Sequence, residues 1–372
     1  TILEATARLV PSPPARALLL LGFEDVYRAA DAVPFVTRYG PIGLEGIDAL
    51  LVEHTRKKKL NAKGLALLPP GGGWLYAEFG GETVAEAESR AAALMEGFGS
   101  RPDAPAMRLF RDPIESQQAW SVRESALGAT SFVPGEGHNW EGWEDAAVPP
   151  GRLGDYLRDL RKRMAAFGLQ GALYGHFGQG CVHTRINFDL KSSEGIAAYR
   201  RFVEQAADIV VGYGGSLSGE HGDGQSRAEL LPRMFGEELV QAFREFKAIW
   251  DPGNRMNPGK VVNPYRLDEH LRMPQYHPPE VASRFAYPIE GSFAEAAVRC
   301  VGVGKCRKTD VGSMCPSYMV TLDEQHSTRG RAHLLFEMLQ GDVVKGGFRS
   351  EAVRWALDLC LSCKSCKSEC PV

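Results

Sequence analysis

Apolar and polar positions along this chain fall into short blocks of two periods, one strand-like and one helical. Residues 15–23, Ala-Arg-Ala-Leu-Leu-Leu-Leu-Gly-Phe, form an apolar run of strand length, and Glu24 to Val33 follows with helical spacing. Leu65–Leu68 and Trp74–Phe79 are expected as strands on either side of a Pro-Pro-Gly-Gly-Gly turn. A helix is expected from Val84 to Phe98, with Ala85, Ala92 and Leu94 among its small or apolar positions, and then a strand over Met107–Phe110. This β-α-β-β-α-β order implies an α+β unit of ferredoxin-like character.

A second set of elements follows. Leu153, Tyr156, Leu157, Leu160, Met164 and Phe167 sit at helical spacing. Strands are expected at Ala172–His176 and Val182–Leu190, then a long helix from Gly195 to about Val211. A last helix runs from Glu237 to Trp250, stopped by Asp251-Pro252-Gly253. From about residue 263 the chain is rich in Pro and Tyr without a period. The implied organisation is an α+β domain over 1–265, a linker over 266–290 and a small, mainly helical, cysteine-bearing domain over 291–372. The opening Thr1–Pro11 reads as a strand already under way, there is no Met at position 1, and the chain closes two residues after its last cysteine. It is therefore expected to be a fragment of a longer polypeptide.

Composition narrows the picture. The 372 residues suffice for two or three domains, and 44% apolar with 24% charged residues is a globular balance. A net charge of −3 gives no basic field for nucleic acid. The run Arg56-Lys57-Lys58-Lys59 reads as a solvated loop, because no aromatic residues interleave it. No apolar run reaches the roughly 18 residues of a membrane span, and no secretory signal is visible. A cytoplasmic protein, or one peripheral at the inner face of the membrane, is expected; a homo-oligomer is left open.

The eight cysteines point to metal rather than disulfides. Only Cys181 precedes residue 300; the others crowd the tail. Cys360-x2-Cys363-x2-Cys366-x3-Cys370-Pro371 has the spacing of a bacterial ferredoxin run, in which three close thiolates wrap one cluster and the fourth ligates another. A four-cysteine zinc site is the alternative, but zinc motifs use paired knuckles. The earlier set, Cys300-x5-Cys306-x8-Cys315-Pro316, lacks the middle cysteine, whose place is taken by Val303. With the fourth cysteines exchanged, Cys360, Cys363, Cys366 and Cys315 would hold one [4Fe–4S] cluster. Cys300, Cys306 and Cys370 would hold a second cluster, [3Fe–4S] or [4Fe–4S] with a non-cysteine ligand.

Histidines form the other constellation. His176 and His183 lie seven apart across a Gly-rich turn, and strand alternation sets His183, Arg185 and Asn187 on one face. Ser218-Gly219-Glu220-His221-Gly222-Asp223-Gly224 adds a Gly-flanked acid–histidine pair. His176, His183 and Glu220 suit a divalent metal with open positions, which leaves His221 for proton transfer near neutral pH. Any one of these histidines alone is compatible with a structural role. Three of the chain's nine falling in two Gly-bracketed turns with charged neighbours favours a site.

On these motifs the chain resembles the FAD-linked oxidases of the D-lactate and D-2-hydroxyglutarate dehydrogenase type. The resemblance rests on Gly-His-x-Gly-x-Gly-x-x-His at 175–183, Ser-Gly-Glu-His-Gly-x-Gly at 218–224, and Asp251-Pro252 leading to Asn257-Pro258-Gly259-Lys260. The tail, with Met314-Cys315-Pro316-Ser317-Tyr318 and His326-Ser327-Thr328-Arg329-Gly330-Arg331, is similar to large bacterial members fused to a ferredoxin-type domain. The resemblance implies a ferredoxin-like α/β sandwich cap domain for substrate, a zinc-like ion on His176, His183 and Glu220, and His221 as the base. It implies Arg123 on the substrate carboxylate and Asn257 and Lys260 toward the flavin. Arg185 is a further substrate-binding candidate, because it shares a strand face with His183; a salt bridge is its alternative role. Gln179 departs from the family, which often has Asp there.

The FAD-binding domain precedes this region in the family, so FAD is expected in the full-length parent and the fragment alone is expected to be inactive. The implied function is oxidation of a small D-2-hydroxy acid, with electrons passing through the clusters to a quinone or redox-protein acceptor. Two other readings are an electron-transfer subunit with an oxidase-like docking scaffold and a zinc-stabilised interaction protein. A scaffold would need none of the four histidine-site residues.

Overall fold

A computed structural model describes residues 4–99, 101–310 and 312–372. Residues 4–14 pair with no strand and are largely exposed. The strand expected over the opening residues is therefore absent from its described part, because Pro11, Pro13 and Pro14 offer no N–H to a ladder; Thr1 to Leu3 lie outside the described residues. The first strand, β1 (Ala15–Phe23), leads to α1 (Val26–Thr37), capped by the Asp25 side chain, which accepts from the Arg28 N–H. Next come β2 (Gly43–Asp48), α2 (Ala49–Lys57), the single turn α3 (Ala62–Leu65), β3 (Gly73–Gly81), α4 (Val84–Gly99) and β4 (Ala106–Phe110).

The chain continues through α5 (Pro113–Glu124), α6 (Ala126–Ser131) and a small hairpin of β5 (Phe132–Val133) and β6 (Gly137–His138). It then forms β7 (Ala146–Ala147), α7 (Leu153–Ala166), β8 (Gly171–Gly175), β9 (Cys181–Ile186), α8 (Ser193–Gly212) and α9 (Leu231–Trp250). Seven strands make one sheet in the order β4-β1-β3-β2-β8-β9-β7, with antiparallel neighbours throughout. Both faces of this sheet are covered. Leu19, Leu21 and Phe23 point into the larger core with α1 and α4, while Leu18 and Leu20 point into a second core that contains Leu51 of α2 and Val122 of α5. A strand buried on both sides needs apolar residues at every position, which is why β1 reads as an unbroken run.

Three expectations are corrected. Leu65–Leu68 is no strand: it closes α3 and loops past Pro69 and Pro70, with Gly64 packed flush on the Gln118 carbonyl of α5. Four residues before two prolines are too few to hold a ladder. The strand expected to reach Leu190 stops at Ile186, where Asn187 turns away and accepts from the Gln170 N–H at 2.7 Å. Asn187 therefore does not share a strand face with His183. Within the basic run, Arg56 and Lys57 end α2, and Lys58 is half-buried and donates to the Gly128 carbonyl at 2.7 Å. Burial, reinforced by the nearby Arg299 charge, pulls the Lys58 pKa down to about 8.

Residues 266–290 contain no helix beyond the short 3-10 turn at Met273–Gln275, yet they are strapped down. Leu267 enters the larger core, and Met273 and Tyr276 enter a separate cluster with Phe336. The cysteine-bearing part is built from α10 (Phe293–Val298), α11 (Pro316–Thr321), α12 (Thr328–Gln340), α13 (Glu351–Asp358) and α14 (Ser365–Glu369). It docks on the sheet half through Lys191 with Glu295 at 2.8 Å and through Arg299 over the Phe132 ring. Among the described residues no helix is long and apolar enough to cross a membrane.

Candidate metal centre and iron–sulfur ligands

The histidine site forms where β8, β9 and the loop after α8 meet. Gly175 ends β8, and His176 begins a tight 3-10 turn, Phe177–Gln179, that returns the chain into β9. Gly180 closes this turn at φ +73°, and a Cβ there would lie 1.8 Å from the Val148 carbonyl oxygen. His183 then stands opposite Tyr174 in the β8–β9 ladder. The loop carrying Glu220 and His221 is organised by Asp145, which is fully buried. Its Oδ2 accepts from Ser218 Oγ at 2.5 Å, the Glu220 N–H at 3.1 Å and the His221 N–H at 2.8 Å.

These elements bring three imidazoles to one carboxylate. Nε2 of His176 and Nε2 of His183 each lie 3.1 Å from Oε1 of Glu220, and Nε2 of His221 lies 3.5 Å from it. The opposite ring nitrogens are all engaged. His176 Nδ1 meets Glu45 Oε1 at 2.6 Å, His183 Nδ1 meets the Glu144 carbonyl at 3.0 Å, and His221 Nδ1 meets Glu144 Oε1 at 2.8 Å. Imidazoles with Nδ1 held and Nε2 converging on a carboxylate fit a divalent ion. Asp145, His183, Glu220 and His221 also have ligand atoms within 4.8 Å of one another. Asp145, however, spends its carboxylate on the loop N–H groups, so we assign it to scaffolding.

Four residues of this site were missed from the sequence: Glu45, Glu144, Asp145 and Arg227. Glu45 lies on β2, whose register with β8 pairs Gly46 with Gly175 and so sets Glu45 beside His176. Its other oxygen accepts from Arg123, with Nη2 at 2.6 Å and Nε at 2.9 Å. Burial opposes the charge on Glu45, but the His176 hydrogen bond and the Arg123 charge outweigh it and hold its carboxyl below the ordinary value. Burial likewise opposes the Glu144 charge, and hydrogen bonds from His183 and His221, with Arg227 nearby, overcome it. The Arg123 guanidinium lies 5.3 Å from the Tyr174 ring centre. Arg185 is buried and paired with Glu141, with its Nε lacking a partner among the described residues. Gln179 is exposed, and the carboxylate on His176 comes from Glu45 instead. Cys181 is buried, with Sγ 3.4 Å from Asp145 Oδ1.

Asn257 is exposed with φ +48°, and Lys260 donates to Gln225 at 2.5 Å.

The tail cysteines lie close together, with Cys306, Cys315 and Cys370 in one small cluster. Burial raises the Cys366 thiol pKa, and the thiols of Cys315, Cys360 and Cys363 raise it further. Burial also raises that of Cys300, with Cys370 and Cys306 adding to it. Cys300, Cys306 and Cys370 line a cavity of about 230 Å³, with Val303 and Cys366 also on its wall. Donors reach the sulfurs: the Arg329 N–H to Cys306 at 3.3 Å, and Arg331 Nη1 to Cys315 at 3.8 Å. A hollow ringed by thiols and supplied with N–H donors fits an iron–sulfur cluster.

Residues 12–261 match the family model of FAD linked oxidases, C-terminal domain. The chain belongs to the FAD-linked oxidases. Residues 296–372 match a 4Fe-4S dicluster domain, so the iron–sulfur tail is part of this oxidase architecture. The chain is 29% identical to D-2-hydroxyglutarate dehydrogenase of Pseudomonas putida and 26% to that of Escherichia coli, each match covering 100% of this chain and 41% of the relative. It is 27% identical to the mitochondrial D-lactate dehydrogenase [cytochrome] of Arabidopsis thaliana, over 71% of this chain and 45% of that relative. This chain thus spans about two fifths of the length of the curated relatives it matches along its whole extent.

Proposed function

We propose that this chain is the substrate-binding and electron-exit part of a flavin-dependent dehydrogenase that oxidises a D-2-hydroxy acid to the 2-oxo acid. The observation that carries this reading is the convergence of three imidazole Nε2 atoms on Glu220, with Arg123 fixed by the same Glu45 that holds His176. His176, His183 and Glu220 hold the divalent ion, which when bound supplies Lewis-acid polarisation of the 2-hydroxyl. Arg123 offers its planar fork to the adjacent carboxylate. His221 takes the hydroxyl proton at Nε2, and Glu144 on its Nδ1 stabilises the resulting imidazolium. FAD, assigned to polypeptide outside the described residues, supplies the hydride acceptor when bound.

Among D-2-hydroxy acids we favour a dicarboxylate of the 2-hydroxyglutarate type. Arg123 lies 5.3 Å from the Tyr174 ring centre and Arg185 hydrogen-bonds the same phenol, so two guanidinium groups stand near one ring, and two carboxylates need two such partners. D-2-hydroxyglutarate dehydrogenases are also the relatives matched over the whole chain. In the tail we assign Cys315, Cys360, Cys363 and Cys366 to a [4Fe–4S] cluster and Cys300, Cys306 and Cys370 to the second. The non-catalytic scaffold reading is disfavoured by the four engaged site residues.

The test is turnover of the full-length polypeptide with D-2-hydroxyglutarate and D-lactate, read by reduction of a dye. His221→Ala is expected to lower turnover by roughly 10²–10⁴-fold while flavin absorbance and iron content stay unchanged. Normal turnover in that variant removes His221 from its role, and no turnover with any D-2-hydroxy acid sinks the proposal.

A further inference from the structure

A second cavity, of about 430 Å³, lies where the oxidase half meets the cluster half. Trp140 and Tyr199 line it from the oxidase side and Phe336 lines it from α12. Arg227 also lines it and is only 3% exposed; Nη2 reaches Glu144 at 3.2 Å, but Nε and Nη1 have no partner among the described residues. His138, another lining residue, leaves its Nε2 unpartnered as well. Cys300 belongs to this cavity and also to the thiol-lined one, so it forms the wall between them.

Buried donors without acceptors are costly, about 1–3 kcal/mol each and more for a charged group, so such groups call for a ligand or ordered water. Aromatic walls select a flat apolar molecule, and unpaired N–H groups select carbonyl oxygens on it. A cluster thiolate in the same wall sets that molecule within reach of single electrons. We propose that this cavity is the site of a quinone that accepts electrons from the cluster held by Cys300. The proposal deepens the dehydrogenase reading and rests on it for the source of electrons. Each hydroxy acid oxidised releases two electrons and two protons. The quinone takes two electrons, one at a time through the cluster, and two protons from water at the cavity mouth, and leaves as the quinol. A carboxylate anion would satisfy Arg227 but has no use for the aromatic walls.

The experiment uses the full-length holoenzyme, a short-chain benzoquinone as probe, and two variants. Ala297→Trp fills the cavity from α10, since Ala297 lines it and not the thiol-lined hollow. His138→Ala removes one unpartnered polar group without filling space. Ala297→Trp is expected to lose quinone reduction while dye reduction by substrate and the electron paramagnetic resonance of both clusters are retained. His138→Ala is expected to raise the KM for quinone about ten-fold. Reoxidation by quinone of clusters reduced chemically is followed in parallel, so the site is tested even if no hydroxy acid is turned over. Failure of dye reduction in the parent enzyme overturns the dehydrogenase reading alone. Three results overturn the quinone site: reoxidation by quinone as fast in both variants as in the parent, no reoxidation in the parent, or loss of flavin absorbance in Ala297→Trp, which would make the cavity the flavin's seat.

Discussion

Glu45 joins two parts of the site in one side chain, because one oxygen holds His176 and the other holds Arg123. Replacing it with Gln keeps the shape but weakens both contacts. Glu45→Gln is expected to lower zinc affinity of this chain about 10–100-fold, read by competition with a chelator. In metal-free protein the same pair makes stability depend on pH. The Glu45 carboxyl is held below 4.5, so its contribution is complete above that value and is lost as pH falls through the lowered one. The Glu45 hydrogen bond, acting against burial, raises His176 above 6.5, so its contribution is complete below that value and is lost as pH rises through the raised one. The pair therefore contributes most between pH 4.5 and 6.5. Thermal melting of the metal-free chain across pH should show this maximum, and Glu45→Gln should flatten it. The side chains that converge here, His176, His183, Glu220 and His221, were legible in the sequence because glycines bracket them, but their supports were not. Glu45 lies 131 residues from His176, and only the β2–β8 register brings them together. A charged residue inside the Gly-Leu-Glu-Gly-Ile-Asp strand was the available signal.

Among the elements, the β2–β8 seam is the most constrained. A Cβ on Gly46 would lie 2.2 Å from the Phe177 ring, which sits directly after His176. Gly46→Val is expected to cost roughly 1–3 kcal/mol by overpacking, measured by urea unfolding, and to lose zinc by moving the turn. Helix α9 poses the opposite case. Phe246, Ile249 and Trp250 are 65, 75 and 66% exposed, and Leu239 extends the same side at helical spacing. An apolar stripe of this kind left in water promotes association. The chain alone should elute larger than its 40.7 kDa mass in size-exclusion chromatography with light scattering, and Phe246→Glu with Trp250→Glu should bring it toward that mass. Periodicity made β1 and the helices α1, α4, α7, α8 and α9 legible, because burial on one or both faces writes itself into the sequence, but it missed α2 and α5. It failed at Leu65–Leu68, where four apolar residues cover α5 as a loop, and at Leu190, where Asn187 ends the ladder by its side chain. Helix α9 begins at Leu231 rather than Glu237, and Gly236 is the non-helical break between the two starts.

At the scale of the whole molecule, the spacing of the cysteines was readable but the joint between the halves was not. Nothing local marks Trp140, Arg227 and Cys300 as neighbours; they meet only because the strap through Leu267, Met273 and Tyr276 folds the tail back on the oxidase half. The spacing sets an expected asymmetry. On the assignment proposed above, Cys315, Cys360, Cys363 and Cys366 supply four thiolates, whereas the second set has only Cys300, Cys306 and Cys370, in a hollow that Cys366 also lines and where Val303 is 39% exposed. An isopropyl group cannot ligate iron, so the corner of a cubane facing Val303 lacks a protein thiolate there and is the first to lose its metal. The full-length protein purified without added iron should therefore carry about seven irons per chain and show the resonance of an oxidised three-iron cluster. Val303→Cys should supply the missing thiolate, raise the count to about eight, and replace that resonance with the silence of an oxidised four-iron cluster. Because a three-iron cluster accepts an electron more readily than its four-iron counterpart, the variant should also slow electron arrival at the Cys300 side while leaving dye reduction by substrate intact. An eight-iron parent with no three-iron signal would mean that water or another side chain completes the site, and Val303→Cys would then change neither the count nor the spectrum.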